Sequence, residues 1–312
     1  MDSEPPQQRI IMAYVALVLI WSTTPLAVVL SMRDLDAIWA LSIRMGAAAV
    51  LSMLALRLAG LRMSWDRRAW KLYGVGSLSM FAAMLFTYLG ARYIASGLIS
   101  VLYGLSPLMV ALLARLVVPG TVILPLQWVG MLTGLGGLAF IFLHGQHLAR
   151  TEIIGVIWVL AGVLSYVVSA VWLKKIGATL HPLVQTNGAL WLSALGCVLV
   201  LPFAGGPVPQ HWPGTVTIVA LVYSASFGSI VAMLCYFYLL RHISAHSVSL
   251  ITLLTPVIAL LLGVLLLGER FRPETLGGMA LILGGLTLYY LRDIWLLVES
   301  RRLKNARRAG SL

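Results

Sequence analysis

Apolar residues fall along this chain in ten long runs, at roughly 10–31, 37–57, 70–92, 95–117, 126–144, 153–173, 183–203, 215–239, 244–267 and 275–294. Each approaches the ~20 residues that a helix needs to cross ~30 Å of hydrocarbon, so the pattern predicts ten transmembrane helices. Together the runs use nearly the whole chain and leave no segment for a soluble nucleotide-binding domain. The glycine- and proline-rich stretch FAGGPVPQHWPG at 203–214 reads as an uncharged loop between two of them.

Two runs in corresponding positions along the chain each carry an internal proline. ITLLTPVIALLLGVLLLGER at 251–270 contains Pro256, and a weaker copy starting at Ser100 contains Pro107. An internal proline releases the carbonyl four residues back, here Thr252 and Tyr103. Helices broken in this way line cavities rather than face lipid.

The two copies belong to a longer repeat. An offset of 149 positions aligns Arg92 with Arg241, Ile94 with Ile243, Ser100 with Ser249, Leu105 with Leu254 and Pro107 with Pro256. An offset of 148 then aligns Gly130-Met131 with Gly278-Met279 and Gly136-Gly137 with Gly284-Gly285. Five spans per half is an odd number, so the halves enter the membrane in opposite directions. The expected organisation is a five-helix repeat at 1–147, an inverted one at 148–294, and a basic cytoplasmic tail at 295–312. Inverted repeats place a binding site near the midplane, where the halves meet.

Composition agrees with this all-α integral membrane class: 60% of residues are hydrophobic, 10% charged, and the mean hydropathy is +0.96. The net charge of +12 could point to nucleic acid, but its placement does not. With the N-terminus inside, sixteen Lys and Arg fall on cytoplasmic segments and five on the other side, with Arg44 inside a span. That asymmetry places both termini in the cytoplasm of a multi-pass protein of the cytoplasmic (inner) membrane, with no nucleic-acid partner. The first run is too long for a signal-peptide core and reads as a retained span. Cys197 and Cys235 fall mid-span and read as buried thiols.

The run LLTPVIALLLGVLLLGER followed by LGGMALILGGLTLYY resembles the closing segment of an EamA-type domain of the drug/metabolite transporter superfamily. The first-half copy SPLMVALLARLVVPG…GMLTGLGGLAF is similar but more diverged, and Trp21-Ser22 and Arg44 match the family's habits. The resemblance implies a ten-helix carrier of small metabolites, often an exporter. One departure is that the first half has Pro119-Gly120 where the second has Gly268-Glu269.

Several helices carry polar or aromatic stripes at helical spacing. Trp158, Gly162, Ser165, Ser169 and Trp172 share one face of the sixth; Ser77, Met80, Met84 and Thr87 mark the third; Tyr223, Ser226, Met233 and Tyr236 mark the eighth. The first contributes Trp21, Thr24 and Pro25, and the proline helices contribute Ser100 and Tyr103, mirrored by Ser249 and Thr252. These faces describe a cavity with aromatic walls and a few hydroxyls, suited to a small amphipathic solute. The expected substrate contacts are Trp21, Thr24, Arg44, Met84, Tyr103, Ser165, Ser169, Tyr236, Ser249 and Thr252, with helix breaks at Pro25, Pro107 and Pro256. Small residues also serve helix packing, the reading preferred for any single serine and for the glycines at 130–137 and 277–285.

Arg44 lies seven residues into its span, roughly 10 Å deep at 1.5 Å per residue. It could hold a substrate carboxylate or phosphate, snorkel outward, pair with Asp34 or Asp36, or cap backbone carbonyls. All ten Asp and Glu fall in tails, loops or helix ends, and the histidines lie near span ends, so no midplane proton relay is expected. Glu269 reads as a cap or an anchor of the turn with Arg270. No phosphate-binding loop, zinc motif or paired carboxylate is present, so an enzyme is not expected, nor is a metal or cofactor.

These readings converge on a secondary transporter, acting as monomer or weak homodimer in the lipid bilayer, that moves a small-molecule substrate by alternating access. Export of amino acids or related amphipathic compounds is the first expectation, resting on the resemblance. Uptake or exchange of carboxylated or phosphorylated metabolites at Arg44 is the alternative, and a membrane enzyme or assembly factor is the rival from another class.

Overall fold

The structure, a computed structural model, describes residues 7–117, 124–144, 150–177, 180–242 and 251–309. It is helical throughout, with no strand among the described residues. We number the rods α1 (Gln7–Ser31), α2 (Ala37–Leu58), α3 (Arg67–Gly90), α4 (Ser96–Val117), α5 (Pro125–His144), α6 (Arg150–Ile176), α7 (Pro182–Ala204), α8 (from Thr215 to His242), α9 (Ile251–Leu267) and α10 (Pro273–Ala309). Among the described residues eight are long and apolar enough to cross a membrane: α1 to α4, α6 to α8, and α10 over Pro273–Leu291. The chain is a multi-pass membrane protein.

Short polar caps start several rods. Asp36 accepts the N–H of Ile38 at 3.0 Å, and Asp66 accepts that of Ala69 at 2.5 Å. Pro182 opens α7 just after the His181 cap, a position where its missing N–H costs nothing. The N-cap residues of α4 and α8 are Ala95 and Gly214, which provide no side-chain cap of their own.

Lipid tails are as apolar as leucine, so helices associate here through close packing rather than water exclusion. Glycine allows it. A Cβ on Gly130 would lie 2.6 Å from Gly285 O, and one on Gly137 2.7 Å from Gly278 O, so α5 and α10 meet backbone to backbone. Gly90 of α3 and Gly155 of α6 repeat the device, with 2.7 Å from a Cβ on Gly90 to Gly155 O. The expected packing role of the glycines therefore holds along α5 and α10, except at Gly136 and Gly284, where nothing lies within 4 Å.

Three helices depart from the regular α pattern. Rod α4 is interrupted at Gly104-Leu105, just ahead of Pro107, as the sequence suggests. Rod α9 is not: it runs unbroken through Pro256, contrary to expectation. The carbonyl that Pro256 leaves without an N–H belongs to Thr252. Pro256 packs against Gly104 instead, with its Cγ 3.3 Å from where a Cβ on that glycine would lie. Rods α3 and α8 each contain a π-helical segment, Leu78–Ala82 and Ser224–Val231.

Candidate functional site: a central cavity

A cavity of about 200 Å³ lies inside the bundle. Its walls come from α1 to α4 and from α6 to α9, the first four rods of each half, while α5 and α10 pack on each other and add no residue. The walls are largely apolar, and the ring of Trp21 lies 5.5 Å from that of Tyr236. Thr87 donates to Ala83 O at 2.7 Å and its Oγ1 lies 2.8 Å from the Tyr103 hydroxyl, a small polar patch in the apolar wall.

Of the residues expected to line a site, Trp21, Thr24, Arg44, Met84, Tyr103 and Tyr236 do so, as does Pro25. Ser165 and Ser169 do not. Ser169 is fully buried and donates to Val75 O at 2.7 Å, joining α6 to α3, and Ser165 turns back to Ala161 O at 2.8 Å. Tyr166 faces the cavity in their place. Pro107 is half-buried and Pro256 buried, and neither lines the cavity. Ser249 and the side chain of Thr252 lie outside the described residues, as do Pro119-Gly120.

The π segments explain which wall residues the sequence misplaces. A π turn inserts a residue and rotates everything beyond it by about 100° relative to an unbroken α-helix. Ser79 and Met80 of the first segment line the cavity, and Ser77 does not. In α8 the segment brings Gly228 and Ser229 inward, whereas Tyr223 bonds Thr23 at 2.6 Å and Ser226 turns to Val222 O. Ser229 Oγ in turn donates to Ser224 O, five residues back, at 2.9 Å.

Arg44 is 2% exposed, and its guanidinium borders the cavity. Nε donates to Ser229 Oγ at 3.4 Å and Nη1 reaches Met84 Sδ at 3.8 Å, two long contacts to neutral groups. The alternative of a pairing with Asp34 or Asp36 is not seen; both carboxylates have other partners. Asp34 accepts from Thr217 Oγ1 at 2.6 Å and Gly214 N at 2.9 Å; Asp36 forms an ion pair with Arg92 at 2.7 Å.

Those acidic contacts gather at one end of the bundle, where the turns after α1, α3, α7 and α9 meet. Glu269 adds another: Oε1 accepts from Ser96 N and Oγ, each at 2.7 Å, and Oε2 from Gly97 N at 3.1 Å. The cap expected locally, with Arg270, is therefore made on α4 of the other half. Asp34 and Glu269 thus cap in trans the two rods, α8 and α4, whose own N-cap residues cannot. Hydrogen bonds from Thr217 and Gly214 hold the Asp34 carboxyl below the ordinary value of 3.8. Trp39 Nε1 completes the set by donating to Gly206 O at 3.2 Å.

The EamA-like transporter family model matches twice, over residues 8–143 and 153–291. The chain belongs to that family. It is similar to the uncharacterized inner membrane transporter YedA of Escherichia coli K12, 29% identical over 259 residues and 82% of each chain. It is also similar to an uncharacterized transporter of Archaeoglobus fulgidus, 25% identical over 85% of this chain and 93% of that one. A protein crystal structure shares the fold, with a TM-score of 0.63 at 18% identity, over 94% of this chain and 99% of the other. The chain is thus a membrane transporter of the drug/metabolite type, and both of these relatives are named as transporters.

Proposed function

We propose that this protein is a secondary transporter that moves small amphipathic metabolites, amino acids or related compounds first among them, out across the inner membrane by alternating access. One observation carries the reading: a single cavity walled by the first four rods of both halves, with the fifth rods set aside as a glycine-packed pair. A site walled by both bundles is what rocking of one against the other would expose to each side in turn.

Two features support inverted halves as the moving units. Shifting the first π segment by 149 positions gives 227–231, inside the second, so corresponding rods carry the same irregularity. The trans caps of Asp34 and Glu269, with Trp39 to Gly206, tie one half to the other at the end that the charge asymmetry places outside. A cavity beneath a tied outer face loads from the cytoplasm, which favours export. Uptake or exchange would use the same rocking in reverse.

The test is flux in proteoliposomes holding radiolabelled L-phenylalanine and, separately, labelled 3-phenylpropionate, with protein-free vesicles as control. Saturable efflux that a large side chain in the wall abolishes, as in Ser100→Trp, is the expected result. No flux of any amphipathic solute, together with substrate turnover by the purified protein, would favour a membrane enzyme.

A further inference from the structure

The cavity holds one full positive charge with no negative partner. Arg44 is the only Lys or Arg among the lining residues, which include no Asp or Glu. The acids nearest to it in sequence are held by Thr217, Gly214 and Arg92, and Glu269 by Ser96 and Gly97. Among the described residues no carboxylate pairs with Arg44, and Asp36 is paired with Arg92. Removing a guanidinium from water is costly unless an anion and good hydrogen bonds offset it. The contacts to Ser229 and Met84, at 3.4 and 3.8 Å, offer neither.

Space beside the guanidinium is kept free. A methyl on Gly228 would lie 3.4 Å from Arg44 Nη2 and 3.8 Å from Thr24 Oγ1, so glycine at this point of the π segment leaves both polar groups open to the cavity. Building on the transport reading above, we infer that the Arg44 guanidinium is the anchor for a single carboxylate on the substrate, since the neighbouring Thr24 and Ser229 hydroxyls already donate to Ile20 O and Ser224 O. The substrate's apolar body then lies among Met80, Met84, Met233 and the rings of Trp21, Tyr103 and Tyr236.

Three constraints narrow the class. The planar guanidinium fork matches a carboxylate in bidentate fashion. One cation balances one negative charge, so a phosphate monoester, close to dianionic at neutral pH, would leave charge buried without a partner. The cavity volume of about 200 Å³ is of a size that suits a small monocarboxylate.

Wild-type full-length protein in detergent is titrated with three probes of matched shape, 3-phenylpropionate, 3-phenylpropionamide and 3-phenylpropyl phosphate, by calorimetry. The carboxylate should bind at least tenfold more tightly than either competitor. Arg44→Gln should lose that preference, and Arg44→Lys, which keeps charge without the fork, should keep part of it, in protein whose thermal unfolding confirms folding. The wild-type comparison needs no variant, so a variant that fails to fold leaves it intact. Equal binding of amide and carboxylate, tighter binding of the phosphate, or no carboxylate binding at millimolar concentration overturns the inference. Proteoliposome flux separates it from the transport reading. Flux with no carboxylate preference sinks the anion site alone, whereas carboxylate binding without flux of any solute sinks transport and leaves the site standing.

Discussion

Glu269, in the turn after α9, accepts both the N–H and the hydroxyl of Ser96 at 2.7 Å, closing the start of α4 with a carboxylate from the other half of the chain. Two glycines make the reach possible. Gly268 has φ +65°, a left-handed turn that a side chain would resist, and a Cβ on Gly263 would collide with Glu269 Oε2. The sequence GVLLLGE thus shapes one outer contact. Glu269→Gln should weaken it by about 1–3 kcal/mol, as a charged acceptor becomes neutral. Spin labels at the outer ends of α4 and α10 should then report a larger population of separated distances, and Gly263→Ala should act in the same direction. An unchanged distance distribution in both variants would remove Glu269 from the outer closure.

Asp34 makes the matching tie, and its depressed titration sets the pH dependence. A carboxyl held below its ordinary value stabilises the fold fully above that value and loses its contribution only as pH falls through the lowered one. The tie therefore persists from pH 8 to pH 5. The melting-temperature difference between wild type and Asp34→Ala should stay constant over that range and shrink only below about pH 4. A difference that already disappears between pH 7 and 5 would contradict the assigned contacts. With no acid lining the cavity, an inward-acid pH gradient alone should also drive no more than modest solute accumulation.

The serines of α6 and the tyrosine of α4 should separate structure from binding. Ser169→Ala removes a buried hydrogen bond to Val75 O and should lower stability by about 1 kcal/mol with KM for transport unchanged. Tyr103→Ala opens the cavity wall and should raise KM about tenfold. A KM change in Ser169→Ala matching that of Tyr103→Ala would return α6 to the site.

Much of this was legible in the chain, for identifiable reasons. Apolar runs of span length gave the rods, since no folded soluble alternative could hide so much hydrocarbon surface. Arg44 stood out because a lone charge inside a span needs a use, Tyr236 followed from helical spacing, and Trp21, Thr24 and Tyr103 from polar and aromatic positions just ahead of internal prolines. Ser165 and Ser169 were misplaced because a stripe of small residues looks alike whether it lines a cavity or packs a neighbour. Ser79, Gly228 and Ser229 were missed because periodicity assumes 3.6 residues per turn, and π segments shift that phase with no sequence mark of their own. The trans caps were hidden for another reason: Asp34 and Gly214 are 180 residues apart, and only the fold brings them together.

Packing of α5 on α10 offers a check on the scaffold. Gly137→Leu drives a side chain into the Gly278 carbonyl and the Ile282 N–H, so it should cost about 1–3 kcal/mol by unfolding in mixed micelles. Gly136→Ala, next to it but with nothing within 4 Å, should be neutral or slightly stabilising. Equal losses in the two would mean that α5 meets α10 through a different face.

The central claim is that both halves take turns opening one shared cavity. It is tested by placing a cysteine at Ser79, a cavity-lining residue, in protein whose Cys197 and Cys235 are replaced by alanine, and measuring its reaction with a membrane-impermeant thiol reagent added to either side. The predicted result is labelling from the cytoplasmic side at rest and from both sides while solute is being moved. A thiol that reacts from neither side, in protein that still carries solute, would contradict it.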